Sequence, residues 1–282
     1  DDEDDDAMKL ALDSHYTIGK LHLCCEDYGC HGRTPLPHVI LADGCSAAPD
    51  SDVGARLLVL NARRLLPQFM RRDLDASGRQ AQHWRLGRRV VRSAARQARD
   101  MGLHLAALDA TLVVAWCDGL TVHIHLYGDG CILTRNRDGM LAAIQVEYAE
   151  NMPYYLSYLL DRQRWALYQS AVGDARIAQR VRHLREGGDD GRLEAFDTPA
   201  VFSFPLAAFP TVAVATDGLH SLIEADTGAR LDLLEVARSV LDFDSLDSDF
   251  VRRRLRKTLA EYGRRLVFNL DDLSLGVFAA AR

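Results

Sequence analysis

Residues 110–148 read ATLVVAWCDGLTVHIHLYGDGCILTRNRDGMLAAIQVEY. Four apolar runs lie in this stretch: residues 110–117, 121–127, 131–134 and 140–148. They are separated by Asp118-Gly119, Gly128-Asp129-Gly130 and Asp138-Gly139. Asp-Gly between apolar runs is a strong hairpin signal, because glycine accepts the left-handed backbone that a tight turn demands. The stretch therefore predicts an antiparallel meander rather than a series of parallel crossover units.

Working outward, residues 38–42 (HVILA) form a continuous apolar run that suits a buried strand and stops at Asp43-Gly44. Asp50, Ser51 and Asp52 offer N-cap chemistry for a following helix, with Val53, Leu57, Leu58, Leu65, Phe69 and Met70 near helical spacing. Residues 78–101 read as a second helix whose apolar side carries Trp84, Val91, Ala94, Ala95 and Ala98. On the other side of the meander, residues 153–184 are expected to be mostly helical, and residues 187–191 (GGDDG) a loop. Residues 201–204 and 211–215 read as strands, 231–241 and 246–262 as helices, and 273–279 as a last strand. Grouped strands and grouped helices imply an α+β layered domain. No internal repeat or low-complexity linker interrupts it, so one domain over residues 8–282 is expected.

Composition narrows the function classes. Residues 1–6 hold six of the 40 acidic side chains, and the remainder equals the 34 basic ones. Residues 1–7 are accordingly read as an added or processed acidic tail ahead of Met8, and the rest as neutral. No apolar run approaches membrane-spanning length, and cytoplasmic localisation is expected. The six cysteines, Cys24, Cys25, Cys30, Cys45, Cys117 and Cys131, are read as reduced thiols. Cys24-Cys25 with Cys30-His31 has neither the pair spacing nor the second cluster of a zinc knuckle. The basic stretch Arg252, Arg253, Arg254, Arg256, Lys257, Arg264 and Arg265 has little aromatic interleaving. It is read as a solvated helix face, so nucleic acid is not an expected partner.

The chemistry lies at strand ends. HVILA runs into Asp43-Gly44, VAVAT (212–216) into Asp217-Gly218, and Asp271-Asp272 precede LSLGVF (273–278). Asp129 sits in a turn. A single Asp-Gly marks only a turn, and Asp118-Gly119 and Asp138-Gly139 are read that way. A carboxylate at the end of a buried strand resists desolvation, however, and several such groups are relieved by a shared divalent cation.

In this order, Glu26-Asp27, Asp43-Gly44, Gly128-Asp129, Thr216-Asp217-Gly218 and Asp271-Asp272-Leu273-Ser274 resemble the motif set of PPM-type (protein phosphatase 2C-like) serine/threonine protein phosphatases, in a bacterial-type variant. The resemblance spans residues 17–278. It implies a four-layer α/β/β/α sandwich, with a central antiparallel β-sandwich flanked by helix pairs. It also implies two Mn2+ or Mg2+ ions per chain, with room for a third. Asp43 would bridge the two metals, the Gly44 carbonyl would help hold one of them, Asp217 and Asp271 would hold the first, and Glu26 would serve the second largely through water. Asp129 would recruit the third together with Asp217. Asp27 and Asp272 would be supporting carboxylates, Asp272 standing where the family often has Asn. Catalysis would fall to a metal-bound water, with no covalent nucleophile. The substrate would be a phosphorylated protein in a signalling circuit opposing a Ser/Thr kinase, and residues 147–191 would form a variable flap beside the cleft.

Two positions depart from the pattern. His22 stands where the family often has a phosphate-gripping Arg; it would either bind phosphate or merely pack at a strand end. Cys45-Ser46-Ala47-Ala48 replaces the Gly-rich tail after the first Asp-Gly and lacks the His sometimes found there, leaving leaving-group protonation to water or to a residue such as His220. The alternative function is a catalytically degenerate member of the fold that senses or scaffolds.

Overall fold

The computed structural model describes residues 9–71, 74–173, 179–188, 191–195 and 198–280. The expected acidic tail, residues 1–7, lies outside the described residues. The chain opens with β1 (Leu10–Thr17), β2 (Tyr28–Gly32) and β3 (His38–Ala42), followed by α1 (Ser51–Leu65) and α2 (Ala76–Asp100). Next come β4 (Leu112–Cys117), β5 (Thr121–Tyr127), β6 (Gly130–Arg135) and β7 (Leu141–Tyr148). Then follow α3 (Arg162–Val172), β8 (Gln179–Arg185), β9 (Glu194–Ala195), β10 (Ala200–Pro205), β11 (Thr211–Ala215) and β12 (Leu222–Glu224). The chain closes with α4 (Leu233–Val240), α5 (Phe250–Arg264), β13 (Val267–Asn269) and β14 (Leu273–Ala280).

Two antiparallel sheets dominate, ordered β1-β14-β11-β6-β7-β8-β9 and β10-β5-β4-β3-β2. Strand β3 shows why its sequence is apolar throughout. All five residues are buried, Ile40 and Ala42 against the α1–α2 pair and Val39 and Leu41 against the opposite sheet. A strand covered on both faces has no position at which a polar side chain is free of cost. Three core clusters fill the molecule. Leu58, Val59, Leu86 and Val90 pack with Ile40, Val114 and Trp116. Leu41, Val113 and Ile124 pack with Ile132, Val214 and Phe278 between the sheets. Leu133, Ala213 and Val277 pack with Val236, Val240, Val251 and Leu255 of α4 and α5.

Four expectations need correction. The meander is two hairpins in different sheets: β4 pairs with β5 and β6 with β7, while β5 and β6 do not pair. Gly128-Asp129-Gly130 is therefore a crossing from one sheet to the other, not a hairpin turn. Both glycines have positive φ, 89° and 146°. A Cβ at Gly130 would stand 2.9 Å from the Ala215 carbonyl oxygen, so the crossing runs against the end of β11. Second, Gln179–Arg185 is a strand at the open side of the larger sheet rather than helix, with only Val181 and Leu184 buried. Third, Asp50 lies in the left-handed region (φ 55°) and makes no side-chain cap for α1. Fourth, the helix expected from residue 246 begins only at Phe250; β1 and β2 carry no expectation from the sequence, because their faces mix polar and apolar residues.

Candidate metal and phosphate site

The expected acidic motifs all border strands: Asp43 and Asp217 follow β3 and β11, Asp129 joins β5 to β6, and Glu26-Asp27 and Asp271-Asp272 directly precede β2 and β14. The Asp43 amide N–H donates to Thr111 Oγ1 at 3.2 Å, and Thr111 N–H donates back to the Asp43 carbonyl at 2.8 Å. Gly44 N–H donates to the Glu26 carbonyl at 3.2 Å. A Cβ on Gly44 would stand 2.8 Å from the Ser51 carbonyl oxygen and 3.0 Å from that of Glu26. Glycine is thus needed at position 44 for close approach, and it draws the Glu26 segment, Asp43 and the start of α1 together. Ser51, which the sequence offers as a cap, instead donates its hydroxyl to Glu26 Oε1 at 2.9 Å.

Asp27 and Asp272 are the framework of the cluster, exposed by only 1% each. Asp27 Oδ2 accepts hydroxyls from Ser274 at 2.6 Å and Thr216 at 2.9 Å. Asp272 Oδ1 accepts Gly19 N–H at 2.7 Å, and its Oδ2 accepts Glu26 N–H at 2.5 Å. The ends of β11 and β14 are thereby tied to the Glu26-Asp27 turn. Asp217 opens a 3-10 turn (Asp217–His220) directly after β11. A Cβ on Gly218 would lie 1.6 Å from the Asp272 carbonyl oxygen, so the second Asp-Gly is also a packing requirement.

The carboxylates repel one another. Burial, reinforced by the charges of Asp217, Asp27, Asp129 and Asp271, pushes the Asp43 carboxyl well above the usual range. Burial, with Asp217, Glu147 and Asp271 nearby, does the same to Asp129. Asp271 is raised by burial and by Asp217, and Asp27 by burial to about 8. Asp217 Oδ1 and Asp27 Oδ1 are buried without a hydrogen-bond partner. A set of hard oxygen donors that cannot all hold their charge, two of them buried and unpartnered, fits divalent cations of the Mg2+ and Mn2+ kind.

His22 is placed differently from either reading of the sequence. Its Nδ1 lies 3.1 Å from Asp272 and 3.6 Å from Glu26, and its Nε2 lies 3.3 Å from Asp271. Burial opposes its charge, but Asp272, Asp271 and Glu26 outweigh that and raise its pKa. Both ring nitrogens face carboxylates, so in this arrangement His22 is a counter-ion to the acidic cluster.

Beside the cluster opens a cleft of about 510 Å³, lined by Asp129, Asp217 and Asp271 with Gln145, Glu147, His220, Ser221 and Arg230. Gln145 Nε2 donates to Glu147 Oε1 at 2.6 Å and lies 3.1 Å from His220 Nδ1. Nδ1 of His220 is then the acceptor, which leaves the ring proton on Nε2. Burial, helped by Arg230, lowers the His220 pKa. His220 is thus a neutral imidazole and a poor source of a proton for a leaving group. Tyr148 and Asn151, from the expected flap segment, also border this cleft. The aromatics Tyr154, Tyr158, Trp165 and Tyr168 stack mainly on one another and on Trp84.

Residues 14–260 match the family model for protein phosphatase 2C. The chain belongs to the protein phosphatase 2C family. Its enzyme class is therefore the serine/threonine protein phosphatase that the motif order implies. Solved structures of similar fold include bacterial phosphatases. Stp1, a serine/threonine phosphatase of Staphylococcus aureus, has 14% identity and a TM-score of 0.56, with 98% of this chain and 96% of that one covered. PppA of Pseudomonas aeruginosa, a regulatory component of its T6SS, has 18% identity and a TM-score of 0.54, with 98% and 99% covered. The PstP catalytic domain, solved with two manganese ions, has 14% identity and a TM-score of 0.51, with 97% and 100% covered. A search of curated protein sequences finds no match.

Sequence reasoning missed Ser51, Thr111, Thr216 and Ser274 as orienting groups in this phosphatase, and Arg230 at the cleft. The hydroxyls follow the pattern of polar residues beside the acidic motifs; Arg230 has no such signal. All six cysteines are free, with Cys117 and Cys131 buried. The basic stretch on α5 is largely neutralised: Arg252, Arg254, Lys257 and Arg265 pair with Asp249, Asp242, Asp244 and Glu235. Among the described residues no helix is long and apolar enough to cross a membrane.

Proposed function

We propose that this chain hydrolyses phosphoserine and phosphothreonine in proteins, opposing a Ser/Thr kinase, at a centre of two Mn2+ or Mg2+ ions. The observation that carries this reading is the convergence of Asp43, Asp129, Asp217 and Asp271, with raised carboxyl pKa values at Asp43, Asp129 and Asp271 and an unpartnered oxygen on Asp217. Asp43, the Gly44 carbonyl, Asp217 and Asp271 would hold one cation, Asp43 and Glu26 a second, and Asp129 with Asp217 a third. When bound, such cations make a shared water more acidic and offset the charge on the phosphoryl oxygens.

The rest is done by the protein's own groups. Asp272 fixes the Glu26 backbone, Ser51 fixes the Glu26 side chain, and Thr216 and Ser274 hold Asp27. The water oxygen forms the new bond to phosphorus, the bond to the serine or threonine oxygen breaks, and the alcohol leaves with a proton from solvent. His220, neutral and proton-bearing at Nε2, can donate a hydrogen bond to a phosphoryl oxygen. No cysteine is needed as nucleophile, and burial raises the Cys131 thiol far above its usual range.

The test is hydrolysis of p-nitrophenyl phosphate and a phosphothreonine peptide with added Mn2+. Metal-dependent turnover that is lost in Asp43→Asn is expected. Turnover that is absent in the wild type, or unchanged in Asp43→Asn, would overturn the reading and favour a scaffold that keeps the fold without the chemistry.

A further inference from the structure

In a cleft walled by aspartates, a side-chain cation beside the metals would strengthen the hold on a dianionic phosphate. The position where that cation is expected, His22, is turned onto Asp271, Asp272 and Glu26 at 3.1–3.6 Å. Arg230 lines the same 510 Å³ cleft together with Asp129, Asp217 and Asp271. Arg230 is exposed, and among the described residues its guanidinium makes no hydrogen bond or ion pair. It is the only arginine or lysine among the described residues that line the cleft. Its backbone is held, since Arg230 bridges Ile223 beside β12 and the next residue, Leu231, donates its N–H to the Leu222 carbonyl at 3.0 Å. The strand β12 is itself paired to β13, which leads into Asp271. The guanidinium thus springs from a stem tied to the metal-site strands, and among the described residues its donors are unspent.

We propose that Arg230 is the phosphate-gripping residue of this phosphatase, binding the substrate phosphoryl oxygens in the cleft it shares with Asp217 and Asp271, with His220 Nε2 as a second donor. This rests on the phosphatase reading above. A guanidinium offers a planar fork of N–H donors that matches two phosphoryl oxygens, which an ammonium cannot do. Its place on the β12 side of the cleft also means that the phosphate and the Glu26 segment are gripped by separate parts of the chain.

The experiment compares wild type, Arg230→Ala and Arg230→Lys with a phosphothreonine peptide and p-nitrophenyl phosphate, using inorganic phosphate as competitive inhibitor. Arg230→Ala is expected to raise KM for both substrates, and the phosphate inhibition constant, by about 10- to 100-fold, with kcat changed far less. Arg230→Lys should recover part of the loss, and Mn2+ affinity by calorimetry should be unmoved in both. An Arg230→Ala enzyme with unchanged KM and phosphate inhibition overturns the grip, as does a rise confined to the peptide, which would mark a peptide-docking residue instead. Absence of turnover in the wild type counts against the phosphatase reading alone. In that case calorimetric binding of inorganic phosphate to the Mn2+-loaded protein decides the grip, which stands if Arg230→Ala weakens binding and falls if it does not.

Discussion

The carboxylate of Asp272 accepts the backbone N–H of Glu26 at 2.5 Å, across 246 residues of chain. The same side chain accepts Gly19 N–H at 2.7 Å, so one buried carboxylate closes two turns near the start of the chain against its last strand. Asp272→Ala should leave amides without an acceptor, at about 1–3 kcal/mol each where they stay buried. Asp272→Asn keeps one acceptor oxygen and should cost less. Denaturant unfolding of the metal-free protein gives the ranking wild type, Asn, Ala. Calorimetry with Mn2+ should show the same order in affinity, because the Glu26 side chain is positioned through this bond. Equal stability of the two variants would mean that only the charge of Asp272 matters.

Asp43 presents the opposite balance. Its carboxyl is pushed up by burial and by four neighbouring aspartates, so the metal-free protein carries it at a cost. Asp43→Asn should therefore raise the midpoint of metal-free unfolding while removing Mn2+-dependent turnover by about two or more orders of magnitude. Saturating Mn2+ at 100 times its dissociation constant should add about 2.7 kcal/mol to the wild type and much less to the variant. A variant that is less stable than wild type without metal would show that Asp43 is held by something other than the expected cation.

The sites of these two variants differ in how legible they are. Asp43 follows a strand buried on both faces, whose unbroken HVILA run is visible in the sequence. Val212–Ala215 and Leu273–Phe278 announce themselves in the same way, and the Asp-Gly turns at Asp118 and Asp138 fall where the hairpin rule puts them. Gly128-Asp129-Gly130 has the composition of a hairpin but crosses between the sheets. Whether two apolar strands pair or part to different sheets is set by partners far along the chain, here β10 and β11. Strand β8 was missed because its buried residues, Val181 and Leu184, are three apart, which is helical spacing. His22 and Arg230 were beyond reach for another reason: their roles depend on which wall of a cleft they face, and neither lies in a patterned segment.

Gly218 tests whether an Asp-Gly pair is a turn signal or a packing constraint. Elsewhere a Gly→Ala change at an unstrained position stabilises by about 0.4–1 kcal/mol through the unfolded chain. Here the added Cβ would fall 1.6 Å from the Asp272 carbonyl oxygen, a backbone atom that cannot swing away. Gly218→Ala should destabilise by several kcal/mol and reduce Mn2+ affinity, as Asp217 and Asp272 are forced apart. Gly139→Ala is the control, where φ is 84° but nothing lies within 4 Å of the added Cβ. Thermal unfolding with and without Mn2+ should show a modest, metal-independent loss at Gly139 and a larger, metal-coupled one at Gly218.

The acid limb of stability should trace to the histidines under α2. His125 is lowered to about 3 by burial and by the nearby charges of His123 and Arg79, and His83, 5.6 Å away ring to ring, is lowered by burial and by His125. A histidine whose folded pKa lies below its unfolded value of 6.5 contributes stability that is complete above that pH. The contribution is lost as pH falls toward the folded value, because the unfolded chain takes up a proton that the native state refuses. Each such proton steepens the loss by about 1.4 kcal/mol per pH unit. His125→Phe keeps an aromatic ring and removes one titrating site. Urea unfolding between pH 6 and pH 4 should then show a slope shallower by about one proton than in the wild type, with little difference in slope above pH 7. Parallel slopes for the two proteins below pH 6 would mean that His125 takes up its proton in the folded state.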